Sequence, residues 1–196
     1  YDVGGEQRTL RWPAGPVHYY VTASAVPGVS ATQLQQAVGA AFTSWQNVPT
    51  ASIAYSYMGF TADLPGEDDG RNTLGFLDAP DLDRVLASTS FLVDDATGEL
   101  IESDIFFNSA FPWSVAAKGE SGRWDLQSIA THEIGHLSGL GHSAIGETDL
   151  SSTGGRRVLS TGTVMFPIAS GAGDVSMRTL RADDIAGMSD LYPDGG

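Results

Sequence analysis

The chain has 196 residues, of which 41% are hydrophobic and 17% charged, and this length suits one domain with a single core. The 24 acidic side chains outnumber the 10 basic ones, and the formal net charge of −14 argues against nucleic acid as a partner, because a phosphate backbone would be repelled. The absence of cysteine excludes disulfides, cysteine zinc sites and thiol nucleophiles, and no apolar run reaches the roughly 20 residues that a membrane span needs.

The pattern of apolar and polar residues along the chain predicts an α+β domain. Strands are expected where β-branched and aromatic residues cluster or alternate, at residues 17–22, 53–57, 72–76, 86–93 and 101–107, with a hairpin loop at 94–99. Helices are expected over 30–45, where Ser30 and Gln33 form a capping box, from an N-cap at Asp125 to about Leu140, and from a cap at Thr179 to Leu191. Apolar residues have no regular spacing over residues 143–163, which are predicted to be a surface loop.

Three of the four histidines lie close together near the end of the second predicted helix. His132 and His136 are four residues apart, so on a helix they share one face and can bind one ion. Gly139 is suited to end the helix in a left-handed conformation, after which His142 can supply a third nitrogen. Imidazole nitrogens suit zinc, and a fourth position left for water is typical of a catalytic site.

Glu133 follows the first of these histidines, so its carboxylate can lie beside the metal without binding it. Zinc lowers the pKa of a bound water and polarises a carbonyl, and Glu133 would take the proton of that water as a general base. The residues therefore predict one catalytic zinc and hydrolysis of a peptide bond without a covalent intermediate. The remaining histidine, His18, is expected to be a packing or surface residue.

The spacing H-E-x-x-H-x-x-G-x-x-H, which runs from His132 to His142, is that of the metzincin metalloproteases. Ser143 directly after it resembles the matrixins, the metzincin family of the matrix metalloproteinases and their bacterial relatives. Residues 163–167 resemble the family's Met-turn, whose methionine, here Met165, lies beneath the zinc site.

Further segments resemble the same family: residues 86–89 its edge strand, 102–108 its fifth strand and 180–192 its closing helix. The resemblance implies a twisted, mostly parallel five-stranded sheet with two long helices in an upper subdomain of about residues 1–142. A small lower subdomain of about residues 143–196, with a C-terminal helix, would complete a single catalytic domain over 1–196. A substrate would lie extended between the two subdomains.

The resemblance also implies residues around the zinc. Those that contact substrate would be Leu86, Ala87 and Ser88 on the edge strand and Pro167, Ile168 and Ala169 after the Met-turn. Because the family usually has a tyrosine at Ala169, we expect a wider apolar pocket for the residue after the cut, unless residues 170–177 fold back into it. Of the paired aspartates Asp183 and Asp184, one would be buried against the Met-turn and the other could meet a mature N-terminal ammonium.

Two departures from the family concern further metals. Vertebrate members hold a second, structural zinc, but two of its histidines fall at Ser88 and Phe106 here, so we expect no second zinc. A family calcium site keeps Asp104, whereas Asn108 and Phe111 stand where carboxylates would be expected. Calcium is therefore allowed but not required, at Asp104 or in the acidic loops 63–72 and 94–99.

The sequence thus predicts a secreted, monomeric zinc-dependent endopeptidase that acts on proteins or peptides and has no nucleic-acid or membrane partner. The start of the chain has no basic segment followed by an apolar core, so a signal peptide is expected to be absent or removed. Two alternatives stay open. One is a catalytically inactive metzincin-fold binding module, against which the intact Glu133 argues, and the other is a neighbouring metzincin family such as the astacins or serralysins, against which Ser143 argues.

Overall fold

The structure of the protein is a computed structural model that describes residues 2–3, 6–150 and 156–195. Its strands are β1 (Asp2–Val3), β2 (Glu6–Gln7), β3 (Pro16–Thr22), β4 (Ala54–Thr61), β5 (Thr73–Leu77), β6 (Ala87–Val93), β7 (Leu100–Asn108), β8 (Trp113–Ser114), β9 (Trp124–Asp125), β10 (Gly146–Leu150) and β11 (Arg156–Thr161). Its helices are α1 (Ala31–Gln46), α2 (Leu126–Leu137) and α3 (Ala182–Leu191), with a short 3-10 helix over Ser176–Arg178.

One five-stranded sheet organises the fold, in the order β4-β3-β5-β7-β6. Four of its strands are parallel, and β6 runs antiparallel to β7, so β6 forms an edge of the sheet. The predicted hairpin between β6 and β7 is confirmed: the Asp94 carboxylate accepts hydrogen bonds from two loop N–H groups, and Gly98 adopts φ 78°. The α+β class and the mostly parallel sheet are therefore confirmed.

Helix α1 begins where its sequence predicts. The Ser30 hydroxyl accepts a hydrogen bond from the Gln33 N–H at 3.3 Å, and the Gln33 side chain accepts one from the Ser30 N–H at 2.9 Å. The apolar face of α1 is buried against the sheet and α2, down to Trp45, whose indole N–H donates to the Thr131 carbonyl at 2.8 Å. This hydrogen bond ties α1 to the helix that carries the histidine motif.

Helix α2 starts at the predicted cap and ends earlier than predicted. The Asp125 carboxylate accepts a hydrogen bond from the Ser128 N–H at 2.9 Å. The last helical residue is Leu137 rather than Leu140, because Gly139 has φ 98° and turns the chain away. A side chain at Gly139 would also collide with the Leu10 carbonyl, so the turn requires glycine.

One predicted loop and one predicted helix start are wrong, although the C-terminal helix itself is present and ends at Leu191 as predicted. Residues 143–163 are not all loop, because β10 and β11 form an antiparallel hairpin there, whose connecting residues 151–155 lie outside the described part of the chain. None of the hairpin residues whose burial is described is buried, so no regular spacing of apolar residues marks the hairpin in the sequence. Helix α3 begins after Arg181 rather than Thr179, since the Asp184 carboxylate accepts the Arg181 N–H at 2.8 Å. Within the described residues, no helix is long and apolar enough to cross a membrane.

Candidate active site

The histidine motif brings three imidazole rings to one point. His132 and His136 project from the same face of α2, and the turn at Gly139 brings His142 back towards them. The Nε2 atom of His136 lies 3.2 Å from that of His132 and 3.1 Å from that of His142, and the third separation is 3.3 Å. The three nitrogens therefore form a nearly equilateral triangle.

In two of these rings, the hydrogen bond of the other nitrogen, Nδ1, determines the tautomer. His132 Nδ1 lies 2.7 Å from the Val164 carbonyl and His136 Nδ1 lies 2.8 Å from the Leu140 carbonyl. A carbonyl can only accept, so both Nδ1 atoms carry the proton and Nε2 keeps its lone pair in the neutral ring. Burial lowers the pKa of His132 and the pKa of His136 to about 4, so both rings are neutral at pH 7.

This triangle fits a zinc ion. A tetrahedral ion with Zn–N distances of 2.0–2.1 Å needs its nitrogens about 3.3–3.4 Å apart, close to the separations that the three rings show. Lone pairs this near to one another repel unless a cation lies between them. Within the described ranges, His132, His136 and His142 are the one group of three or more His, Cys, Asp or Glu residues whose ligand atoms converge in this way.

Glu133 lies beside the triangle, and its side chain is almost completely buried at 6% exposure. Burial raises the pKa of Glu133 above its usual range, although a hydrogen bond from Thr89 acts in the opposite direction. The Thr89 hydroxyl lies 2.6 Å from Glu133 Oε2. Our sequence-based set of site residues omits Thr89. Thr89 could have been found from the sequence, because side chains alternate between the two faces of a strand and Thr89 therefore shares a face of β6 with Ala87.

A buried layer lies on the far side of the histidines. Met165 is 2% exposed, and its side chain packs so closely against Gly135 of α2 that a methyl group there would overlap its sulfur atom. The buried Asp184 accepts hydrogen bonds from the N–H groups of Val164 and Met165, at 2.9 and 3.2 Å. The other predicted aspartate, Asp183, is partly exposed, and the N-terminal ammonium that it could meet lies outside the described residues.

The predicted substrate residues line one cleft of about 880 Å³ together with Glu133 and the three histidines. They are Leu86, Ala87, Ser88, Pro167, Ile168 and Ala169. The same cleft is lined by Met177, which is 3% exposed. The segment after Ala169 has therefore folded back and supplied an apolar side chain. Arg178 anchors this segment to the N-cap of α2, because its Nε donates to Asp125 Oδ2 at 2.8 Å.

Asp104, the predicted calcium residue, and Asn108, which stands where a carboxylate would be expected, both form hydrogen bonds to backbone groups. Asp104 is 4% exposed and accepts hydrogen bonds from the N–H groups of Gly66 and Thr73, and burial raises its pKa to about 6. These bonds tie the acidic loop before β5 to the sheet. Asn108 is fully buried, and its side-chain amide donates towards three carbonyls of the segment between β5 and β6.

The chain is similar in sequence to several known proteins. The chain is 43% identical over 68 residues to Metalloendoproteinase 5-MMP of Arabidopsis thaliana, a match that covers 35% of this chain and 14% of that protein. It is 27% identical over 163 residues to Metalloendoproteinase 2-MMP of the same plant, covering 78% and 35%, respectively. It is 25% identical over 183 residues to karilysin of Tannerella forsythia, covering 93% and 33%.

The chain thus spans about a third, or less, of the length of these curated relatives. The family model described as matrixin matches residues 11–153, which include all three histidines and Glu133. This family implies a zinc metalloendopeptidase in general, and the histidine triangle is compatible with its zinc. The chain belongs to the matrixins.

Proposed function

We propose that the protein is a zinc-dependent endopeptidase with His132, His136 and His142 as the metal ligands and Glu133 as the general base. The observation that carries this proposal is the triangle of Nε2 atoms 3.1–3.3 Å apart, with a buried carboxylate beside it in an open cleft. A structural zinc site would be closed by a fourth protein ligand, whereas this site faces the cleft.

The residues of the chain have distinct roles in this mechanism. His132, His136 and His142 would hold the zinc ion, which would lower the pKa of a bound water molecule and polarise the carbonyl of the scissile bond. Glu133 accepts the proton of the attacking water and delivers it to the amine that leaves. The raised pKa of Glu133 makes its carboxylate a stronger base, and burial keeps bulk water away from the proton that it carries.

The sheet edge supplies a binding mode for an extended peptide. Among the described residues, strand β6 pairs with β7 on one side only. Its other edge, with the adjoining Leu86, can therefore pair with the main chain of a substrate along Leu86–Ser88. The opposite wall, from Pro167 to Ala169, together with Met177, lines the cleft with apolar side chains. Burial of apolar surface is worth about 25 cal/mol per Å². We therefore expect a large apolar residue, such as Leu, Met, Phe or Tyr, directly after the cut.

The test is digestion of a peptide library by the protein, with and without a zinc chelator. We expect cleavage that the chelator stops and added zinc restores, with apolar residues enriched directly after the cut. Enrichment of charged residues or glycine there would contradict the pocket, while cleavage without metal would contradict the mechanism.

The role of Glu133 is tested separately with Glu133→Gln, which keeps the size of the side chain and removes the base. We expect kcat to fall at least about 100-fold while one zinc per chain stays bound, because the histidines hold the metal. The control is Glu99→Gln, in an exposed hairpin loop, which should leave kcat unchanged. Near-native turnover in Glu133→Gln would refute the base, and binding of peptides without cleavage by the unaltered protein would favour a docking module.

Further parts of the proposal concern the setting of the enzyme. We propose that it is secreted and acts as a monomer on proteins or peptides. The net charge of −14 supports a partner other than nucleic acid. We propose calcium only as a second bound ion for which Asp104 would be one ligand. Elemental analysis of the dialysed protein would decide whether calcium is bound together with zinc.

A further inference from the structure

We infer that Thr89 is a positioning residue for Glu133, which it reaches from the strand that would bind substrate. The inference rests on the proposed function, because it assigns a role in orienting the general base. Thr89 lies in β6, at the edge of the sheet, and Glu133 lies in α2. The Thr89 Oγ1 is 2.6 Å from the carboxylate oxygen Oε2 of Glu133 and 3.1 Å from its backbone carbonyl.

This contact determines which oxygen of the Glu133 carboxylate is left to accept the proton of the attacking water. The hydroxyl has one proton, and the shorter distance indicates that it is donated to Oε2. The Thr89 side chain, on a different element of the fold, thus donates a hydrogen bond to this carboxylate. One oxygen is thereby engaged with the strand, and Oε1 stays available to accept a proton from water.

The hydrogen bond also holds the carboxylate in one orientation. A glutamate side chain has three rotatable bonds, and an oxygen that wanders by 1 Å loses much of its efficiency as a base. Thr89 is well suited to restrain it, because a β-branched side chain in a strand has a restricted χ1 angle. The same residue then couples the position of the base to the strand with which a peptide would pair.

The coupling predicts an effect on turnover rather than on binding. A peptide that extends the sheet would pair with main-chain groups of β6, which a change of the Thr89 side chain leaves in place. The zinc ligands also remain, because the hydrogen bonds of the Thr89 hydroxyl go to Glu133 and not to the three histidines. Loss of the hydroxyl should therefore lower kcat and leave KM and zinc content nearly unchanged.

The experiment compares Thr89→Val, which keeps the shape and removes the hydroxyl, with Thr89→Ser, which keeps the hydroxyl and removes a methyl group. We expect Thr89→Val to lower kcat about tenfold or more, with KM within about twofold, since hydrogen bonds to charged groups are strong. Thr89→Ser should keep kcat within about threefold of the unaltered protein. Ser90→Ala, on the opposite face of β6 and exposed, is the matched control and should behave as the unaltered protein.

The outcomes separate positioning from packing. If Thr89 only fills space, Thr89→Val is neutral and Thr89→Ser is the damaged variant, and this pattern would overturn the inference. Thr89→Val should also cause no further loss in a Glu133→Gln background, because a positioning residue has nothing left to position. If the unaltered protein shows no chelator-sensitive cleavage, the proposed function fails as well. If the unaltered protein cleaves peptides and Thr89→Val cleaves them equally well, the inference about Thr89 is overturned while the proposed function stands.

Discussion

The buried side-chain amide of Asn108 helps to hold the segment between β5 and β6 to the sheet, and exchanging this amide for a carboxylate should make the fold dependent on a cation. The Nδ2 atom of Asn108 lies 2.8 Å from the carbonyl oxygen of Ala79, 3.2 Å from that of Leu82 and 3.1 Å from that of Val85. Three carbonyls that converge on one point form an environment suited to a cation, and here a hydrogen-bond donor occupies it. The perturbation is Asn108→Asp.

The expected magnitude follows from these contacts. The substitution removes the donor, and each lost hydrogen bond is worth about 1 kcal/mol net. It also places a carboxylate oxygen against three carbonyl dipoles at a residue with 0% exposure. The other carboxylate oxygen would keep the N–H groups of Ala79 and Ala110 as donors, but the buried charge has no ionic partner. A buried charge without a partner costs about 3–5 kcal/mol, so we expect the free energy of unfolding of Asn108→Asp to fall by up to that amount in chelator.

Calcium should restore part of this loss. The carboxylate and the three carbonyls supply four or five of the roughly 6–8 oxygen ligands that calcium takes, and water can supply the others. If calcium binds the folded state and not the unfolded state, a calcium concentration of about 100 times its Kd raises the free energy of unfolding by about 2.7 kcal/mol. Magnesium demands a smaller octahedral site and should return less.

The assay is urea unfolding of the unaltered protein and of Asn108→Asp, each in chelator and in calcium. The matched control is Asn72→Asp, because Asn72 is also buried but its amide donates to one carbonyl, that of His18, at 2.8 Å. It should be destabilised without recovery in calcium. The reasoning is refuted if Asn108→Asp is as stable as the unaltered protein in chelator, or if calcium restores both variants equally.

Two further predictions concern the stability of the fold. Gly135→Ala should lower the free energy of unfolding by about 1–2 kcal/mol, because the added methyl overlaps Met165 and lies 3.0 Å from Trp45. Gly39→Ala, in a helix with room for the methyl group, should raise the free energy of unfolding by up to about 1 kcal/mol. Equal effects of Gly135→Ala and Gly39→Ala in urea unfolding would contradict this steric argument. Burial raises the pKa of Asp104 from 3.8 to about 6, so between these values the folded state binds a proton more tightly than the unfolded state. Raising the pH from about 4 to 7 should therefore destabilise the unaltered protein relative to Asp104→Asn by up to about 3 kcal/mol, and parallel pH profiles of unfolding would exclude this.

The helices and the sheet were predictable because their signals are local. The capping box of Ser30 and Gln33, the cap at Asp125 and the left-handed glycine at 139 each act over a few residues. The zinc motif is equally local, since two ligands on one helix face and a turn bring three rings together. The hairpin at 146–161 was missed because none of its residues with a described burial is buried, so it has no regular spacing of apolar residues.

By itself, the sequence determined the class of the fold, the family and the triad of histidines with its glutamate, all of which depend on short spacings. Only the tertiary structure decided which distant residues support them. Thr89 and Glu133 are 44 residues apart, and Asn108 and Ala79 are 29 apart, yet each pair is joined by a hydrogen bond. Met177 likewise lines the cleft beside Ala169 only because its segment folds back. Such contacts depend on how strands and helices dock, and no local spacing in the chain encodes that docking.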